Sequence, residues 1–203
     1  MRNGSDARIR EEVNRLGIPP KEMLKREIAR QDRKESYKKL ICGMMAGLLV
    51  VTAVIIIITN FWVAVLQIDG SSMSPLLQMD EIVITVRGDT PVKNDIIAFT
   101  HNNNFYIKRA VAVAGDRVEI NGDGVVSVNG EVLYEPYVSE LSFGNCDIEF
   151  PYQVPAETVF VLGDNRPSSI DSRDSQFGTV SREQIIGRVK FRVWPLSQIG
   201  SVS

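Results

Sequence analysis

The feature that most constrains this chain is a run of twenty residues, 40–59, reading LICGMMAGLLVVTAVIIIIT, without a single charged side chain. A helix rises ~1.5 Å per residue, so the run covers about 30 Å, the thickness of a bilayer's hydrocarbon core. It is long for the apolar part of a cleavable secretory leader, 39 residues precede it, and no small-x-small site follows, so one permanent span is expected. Charge divides about this run: residues 1–39 hold 12 Lys/Arg against 7 Asp/Glu, and the rest of the chain is acidic, although the whole carries only −2. Lys34, Lys38 and Lys39 crowd one flank, Phe61 and Trp62 the other, and basic residues stay on the cytoplasmic side. The organisation expected is a basic, helical cytoplasmic leader over 1–39, a transmembrane helix over 40–60 and an extracytoplasmic β-rich domain over 61–203. The chain is thus placed in the plasma membrane, crossing it once, with its N-terminus in the cytoplasm.

Beyond the span the pattern changes to short β-branched runs bounded by turn residues: 81–87, 95–100, 105–114, 117–120, 125–128, 132–134, 158–162 and 187–194. Asn129-Gly130 is a strong two-residue hairpin signal, because a type I′ turn needs positive φ at both central residues. The fold class expected is mainly β, a partly closed antiparallel domain on one N-terminal transmembrane helix. Cys42 lies in the apolar run and Cys146 far beyond it, which excludes a disulfide framework. One His and no Cys cluster argue against a metal centre, and no cofactor is expected.

Three segments break the bland β pattern. In the first, IDGSSMSPLL (68–77), Gly70 and Pro75 frame Ser72 in a turn that can expose its hydroxyl. Such turns are also ordinary loops. A serine hydroxyl needs a base within hydrogen-bond reach, and the single histidine, His101, falls in the polar turn HNNN, where a solvated loop histidine is the simpler reading. Attention moves to lysine. The second segment, YIKRAVAVAGD (106–116), places Lys108 on the strand face of Tyr106 and Ala110, with Arg109 opposite. Burial there would lower its pKa, and a fall to roughly 8 makes about one amine in ten neutral at pH 7, against about one in 2,500 otherwise. A lysine snorkelling from a strand end is the competing reading. The third segment, LGDNRPSSIDSRD (162–174), is dense in charge; Asp164, Arg166, Asp171 and Arg173 could form a paired network, with Ser169 orienting a buried amine.

These segments, in this order behind a membrane anchor, resemble the type I signal peptidase family, membrane-bound Ser/Lys proteases that remove signal peptides from exported proteins. The resemblance rests on Ser72-Met-x-Pro75, the strand after it, Tyr106-Ile-Lys-Arg with Gly115-Asp116, and Gly163-Asp-Asn-Arg with Ser169-x-Asp-Ser-Arg173. It implies that Ser72 is the nucleophile and Lys108 the general base, that Ser169 holds the Lys108 amine, and that Asp171 with Arg173 and Asp164 with Arg109 support the site. It also implies an oxyanion site at the Ser72 backbone N–H; some members add a serine two positions earlier, where this chain has Gly70 and so relies on main chain or another donor. Ile68 and Ile107 match positions lining the shallow pockets that select small residues. The implied partners are the signal peptides of secretory preproteins and the phospholipid bilayer, near the secretion translocon, with the chain a monomer that binds neither nucleic acid nor metal.

Two other functions fit the same residues. One is a Ser/Lys peptidase dedicated to a single substrate, such as a pilus or conjugation maturation protease. The other is a catalytically silent membrane-tethered β domain that binds a surface partner. A cytoplasmic self-cleaving repressor is disfavoured by the span and by the lack of a DNA-binding helix pair in the leader. Phe143 and Ile148, apolar in a polar loop, are expected to dip into the outer leaflet together with residues 61–66.

Overall fold

The computed structural model describes residues 21–88 and 90–202, with residues 8, 11, 12, 15 and 17 of the leader. Its contacts divide the chain into two units, residues 1–56 and 57–203.

Helix α1 runs unbroken from Lys21–Phe61 and takes in both the charged half of the leader and the apolar run. At ~1.5 Å per residue its 41 residues extend about 60 Å, twice a hydrocarbon core. The mean hydropathy of its apolar window is 2.8, and none of that window is buried against protein. Leu48, Val51, Ile55 and Ile58 are all exposed, a distribution that water disfavours and lipid satisfies. The rest of the leader before Lys21 falls mostly outside the described residues.

The second unit is built of antiparallel strands: β1 Val63–Gln67, β2 Ile82–Val86, β3 Ile96–His101, β4 Asn104–Val113, β5 Arg117–Ile120, β6 Val126–Val128, β7 Glu131–Val132, β8 Tyr152–Gln153, β9 Thr158–Leu162, β10 Val180–Ser181, β11 Ile185–Trp194 and β12 Gly200–Ser201. The larger sheet has the order β1-β2-β11-β3-β4-β9-β10, with β12 paired to β11, and it does not close on itself. The smaller sheet has the order β7-β6-β5-β8. The mainly β, antiparallel class expected from the alternation is the one observed. Asn129 and Gly130 take φ of 55° and 85°, as the type I′ reading requires.

Three apolar clusters hold the sheets. Val118, Val126 and Val128 of the small sheet pack with Val111, Ala112, Phe160 and Leu162 of β4 and β9. Residues on both faces of β4 are buried from Lys108 to Ala112, so burial along this stretch does not alternate. Ile97, Phe99 and Val161 form a second cluster with Phe177. The third gathers Ile68, Met73, Leu77, Val83 and Ala98 beneath the turn that carries Ser72. Phe143 and Ile148 are half-buried against the small-sheet cluster instead of standing free as the leaflet reading expects.

Candidate active site

The loop from β1 to β2 is pinned at its neck: Ile68 N–H donates to Glu81 O (2.8 Å) and Asp80 N–H to Ile68 O (2.9 Å). Inside it, Ser74 N–H donates to Ser71 O and Leu77 N–H to Met73 O, a tight turn anchored by the buried Met73 and Leu77. Glu81 is buried and accepts from Arg192 through both oxygens at 2.9 Å. The apolar anchors point down, and Ser72 is left half-buried at the rim. Its amide N–H has no hydrogen-bond partner among the described residues. Gly70 does not adopt a left-handed φ, and a Cβ built on it would meet nothing within 4 Å.

A cleft of about 590 Å³ opens beside this turn, and Ile68, Gly70, Ser72, Ile107 and Lys108 all line it. Lys108 comes from the middle of β4, opposite Ile97 of β3. It is only 2% exposed and makes no ion pair among the described residues. Burial pulls its pKa from 10.5 down to about 8, the charges of Asp171 and Asp164 opposing that fall and the charge of Arg173 adding to it. Its neighbour Arg109 is equally buried on the other side of the strand, where Nε and Nη2 donate to the two oxygens of Asp164 at 2.9 and 2.7 Å. Burial raises the pKa of Asp164 even though Arg109 opposes the shift.

The loop after β9 supplies the third wall. Asn165 N–H donates to Ser72 O at 3.0 Å and its side-chain amide to Ser71 O at 3.2 Å, which ties the serine turn to this loop. Asp171 accepts from Gly163 N–H and from Nε and Nη2 of Arg173, all at 3.0 Å or less. Gly163 has no room for a side chain: a Cβ would stand 2.2 Å from Ser169 Oγ and 2.6 Å from Ser72 O. The hydroxyl of Ser169 and the backbone of Ser72 therefore converge on one point. Ser169 Oγ is fully buried and has no hydrogen-bond partner within the protein, an arrangement that costs free energy unless another group uses it.

The structure thus brings Ser72, Lys108, Ser169, Asp171, Arg173, Asp164, Arg109, Ile68, Ile107 and Gly70 into one neighbourhood. Arg166 departs from the expected pairing within its own loop: its carboxylate partner is Glu135, from the segment after β7. A count of charges does not signal this, since Asp164, Asp171 and Asp174 match Arg109, Arg166 and Arg173 in number, and only the fold shows that Asp174 accepts from the backbone N–H groups of Gln176 and Phe177 instead. Asn165 and Gly163 lay within the motif but carried no role there. His101 is not a solvated loop residue; its ring stacks on Phe177 at 4.7 Å. Cys146 is half-buried, and burial raises its thiol pKa, which makes it a poor nucleophile. No cluster of metal ligands occurs among the described residues.

Residues 41–194 match the family model described as signal peptidase, peptidase S26. A signal peptidase I of Bacillus amyloliquefaciens is 29% identical over 83% of this chain and 96% of its own length. The signal peptidase I S of Bacillus subtilis is 32% identical, covering 81% and 95%, and the signal peptidase IB of Staphylococcus aureus is 33% identical, covering 79% and 93%. A crystal structure of a signal peptidase I from Enterococcus faecalis, 31% identical, covers 49% of this chain and 97% of that one with a TM-score of 0.42.

Proposed function

The chain belongs to the signal peptidase family, peptidase S26, as a type I signal peptidase, and we propose that it cleaves signal peptides from exported preproteins with Ser72 as nucleophile and Lys108 as general base. One observation carries this assignment: Ser72 and Lys108 line the same cleft, and the lysine is buried with no counter-ion in direct contact among the described residues. A buried, unpaired amine of this kind is partly neutral near pH 8 and can take the proton of a serine hydroxyl.

In the first step Ser72 Oγ attacks the scissile carbonyl while its proton passes to Lys108 Nζ; the C–N bond then breaks and Lys108 returns a proton to the leaving amine. Water deacylates the ester by the same exchange. To Ser169 Oγ, buried and without a hydrogen-bond partner within the protein, we assign the role of accepting from the Lys108 amine during the reaction and fixing its direction. The free Ser72 N–H meets the developing oxyanion. Ile68 and Ile107 line the cleft wall; in this reading they select small side chains, and the extended peptide end adds as a strand along the cleft. α1 anchors the enzyme, with residues 1–39 in the cytoplasm and the β domain outside, where signal peptides emerge.

The test is cleavage of a secretory preprotein with a small-x-small site by the detergent-solubilised full chain. Wild type is expected to cut at that site, and Ser72→Ala and Lys108→Met to be inert. Normal cutting by either variant removes the assignment, and inactivity of wild type on several preproteins favours a dedicated or noncatalytic role.

A further inference from the structure

The segment after β7, Glu135-Pro136-Tyr137, belongs to the small sheet by sequence, yet its side chains enter the catalytic unit. Glu135 has a buried carboxylate that pairs with the buried Arg166. Nε of Arg166 donates to Gly163 O at 3.1 Å. Gly163 is the residue against which both Ser169 Oγ and the Ser72 carbonyl are pressed. Tyr137 meets the other half of the site: the Arg109 guanidinium carbon lies 3.7 Å from its ring centroid, while the edge of that guanidinium holds Asp164. The Tyr137 hydroxyl lies 3.0 Å from Glu135 Oε1 and 3.2 Å from Asn94 Oδ1, and Arg109 Nη1 donates to Asn94 O at 3.1 Å.

On this geometry, and resting on the assignment of Ser72 and Lys108 above, we propose that Glu135 and Tyr137 are positioning residues for the peptidase reaction. They clamp Arg166 and Arg109 and thereby fix the Gly163 peptide and the strand segment that carries Lys108. Two observations favour this over simple surface stabilisation. First, Arg166 and Arg109 are both buried, so their partners decide where they sit, and a planar guanidinium held on its edge by a carboxylate and on its face by a ring has no freedom to turn. Second, the paths to the reacting groups are short: from Glu135 through Arg166 and Gly163, which touches Ser169 and Ser72, and from Tyr137 through Arg109 to Lys108, its neighbour in β4. The small sheet is then a brace for the active site, built onto β4 and β9 through the shared apolar cluster.

The experiment measures kcat, KM, the pH–rate midpoint and Tm of the detergent-solubilised full chain for Tyr137→Leu, Tyr137→Phe, Glu135→Ala, Arg166→Ala and the Glu135→Ala/Arg166→Ala pair. Displacement of a reacting group by about 1 Å costs up to about 100-fold, so Tyr137→Leu is expected to lower kcat at least about tenfold with KM within about twofold. Its pH midpoint moves upward, because a loosened strand hydrates Lys108 while Asp171, Asp164 and Arg173 still face it. Tyr137→Phe keeps the ring under Arg109 and is expected to restore kcat to within about threefold of wild type. The double variant loses no more activity than Glu135→Ala alone, since the two residues act as one unit. A lower Tm with unchanged kcat and pH midpoint in Tyr137→Leu, while Ser72→Ala remains inert, overturns the clamp and leaves the catalytic assignment standing. An active Ser72→Ala variant overturns both.

Discussion

A lysine that is 2% exposed and titrates near 8 makes two linked statements, one about rate and one about stability. The rate depends on the neutral amine, so kcat/KM should rise tenfold per pH unit below the midpoint and level off above about 8. For stability, the unfolded lysine keeps its proton up to 10.5 while the folded one releases it near 8, so between these values the unfolded state binds more protons and stability rises with pH. Below about 8 the amine is charged in both states and the fold carries the whole desolvation cost. Lys108→Met should therefore be inert yet more stable than wild type at pH 7, by at most about 3 kcal/mol at ~1.36 kcal/mol per unit, a difference that a urea melt resolves and that closes as pH approaches 10.5. The two glycines of the site separate in the same way. Gly163→Ala forces a methyl onto Ser169 Oγ and the Ser72 carbonyl, and should lower kcat about 100-fold or more. Gly70→Ser enters open space on the cleft wall that Ser72 also lines and should fold normally, with a Tm close to that of wild type. Equal kcat in the Gly163→Ala variant and wild type would show that the Ser169 hydroxyl can move without consequence.

Among the elements, the loop after β9 is held by buried ion pairs rather than by apolar packing. Arg173 donates to Asp171 and to the carbonyls of Ser142, Phe143 and Arg166, and Gly144, at a φ of +62°, leaves its guanidinium the room to do so. Removing one partner of such a pair strands the other, so Arg173→Met should cost about 3–5 kcal/mol in urea unfolding, whereas Arg182→Met, at the exposed pair with Glu157, should cost about 0–1 kcal/mol. Similar losses in the two variants would contradict this account of the loop. The contrast explains what could be read from the sequence. The strands of four residues or more, apart from β1, announced themselves by β-branched runs and turn residues, and Asn129-Gly130 fixed its hairpin outright. β8, β10 and β12 are two-residue bridges with no period to detect, and β1 follows the apolar run so closely that its apolar residues merge with it. The three segments around Ser72, Lys108 and Ser169 stood out by their polar groups, but each alone also reads as an ordinary loop or strand end, and only their order behind the apolar run, through its resemblance to a known family, pointed to a site. The partner of Arg166 was not legible, because Glu135 lies in the segment after β7, 31 residues away, and only the third dimension brings it there.

At the scale of the whole molecule, the peptidase assignment is incomplete without the bilayer, because enzyme and preprotein confined to one surface meet at a raised effective concentration. Two features of the chain bear on this. One is the apolar half of α1, exposed along its length. The other is an outward row on the larger sheet, where Val65 of β1, Ile84 of β2 and Phe191 of β11 stand opposite one another, with Trp194 and Leu196 exposed beyond them. A row of that kind facing water loses about 25 cal/mol for each Å² of apolar surface left wet, and a lipid interface recovers it. If the helix supplies confinement and the sheet face only adds to it, a variant lacking residues 1–58 should cleave a soluble peptide in detergent within about threefold of the full chain but process a vesicle-embedded preprotein about 100-fold more slowly. Phe191→Ser with Trp194→Ser in the full chain should lower only the vesicle reaction, and by less, since one anchored helix already holds the enzyme at the surface. The same comparison made with the truncated chain should show the larger loss, because there the sheet face and the retained Phe61 and Trp62 are what is left to meet lipid. Equal processing of embedded preprotein by the full and truncated chains would mean that the cleft finds its substrate by diffusion through water, and that α1 serves to retain the enzyme at the cell surface instead of to accelerate it.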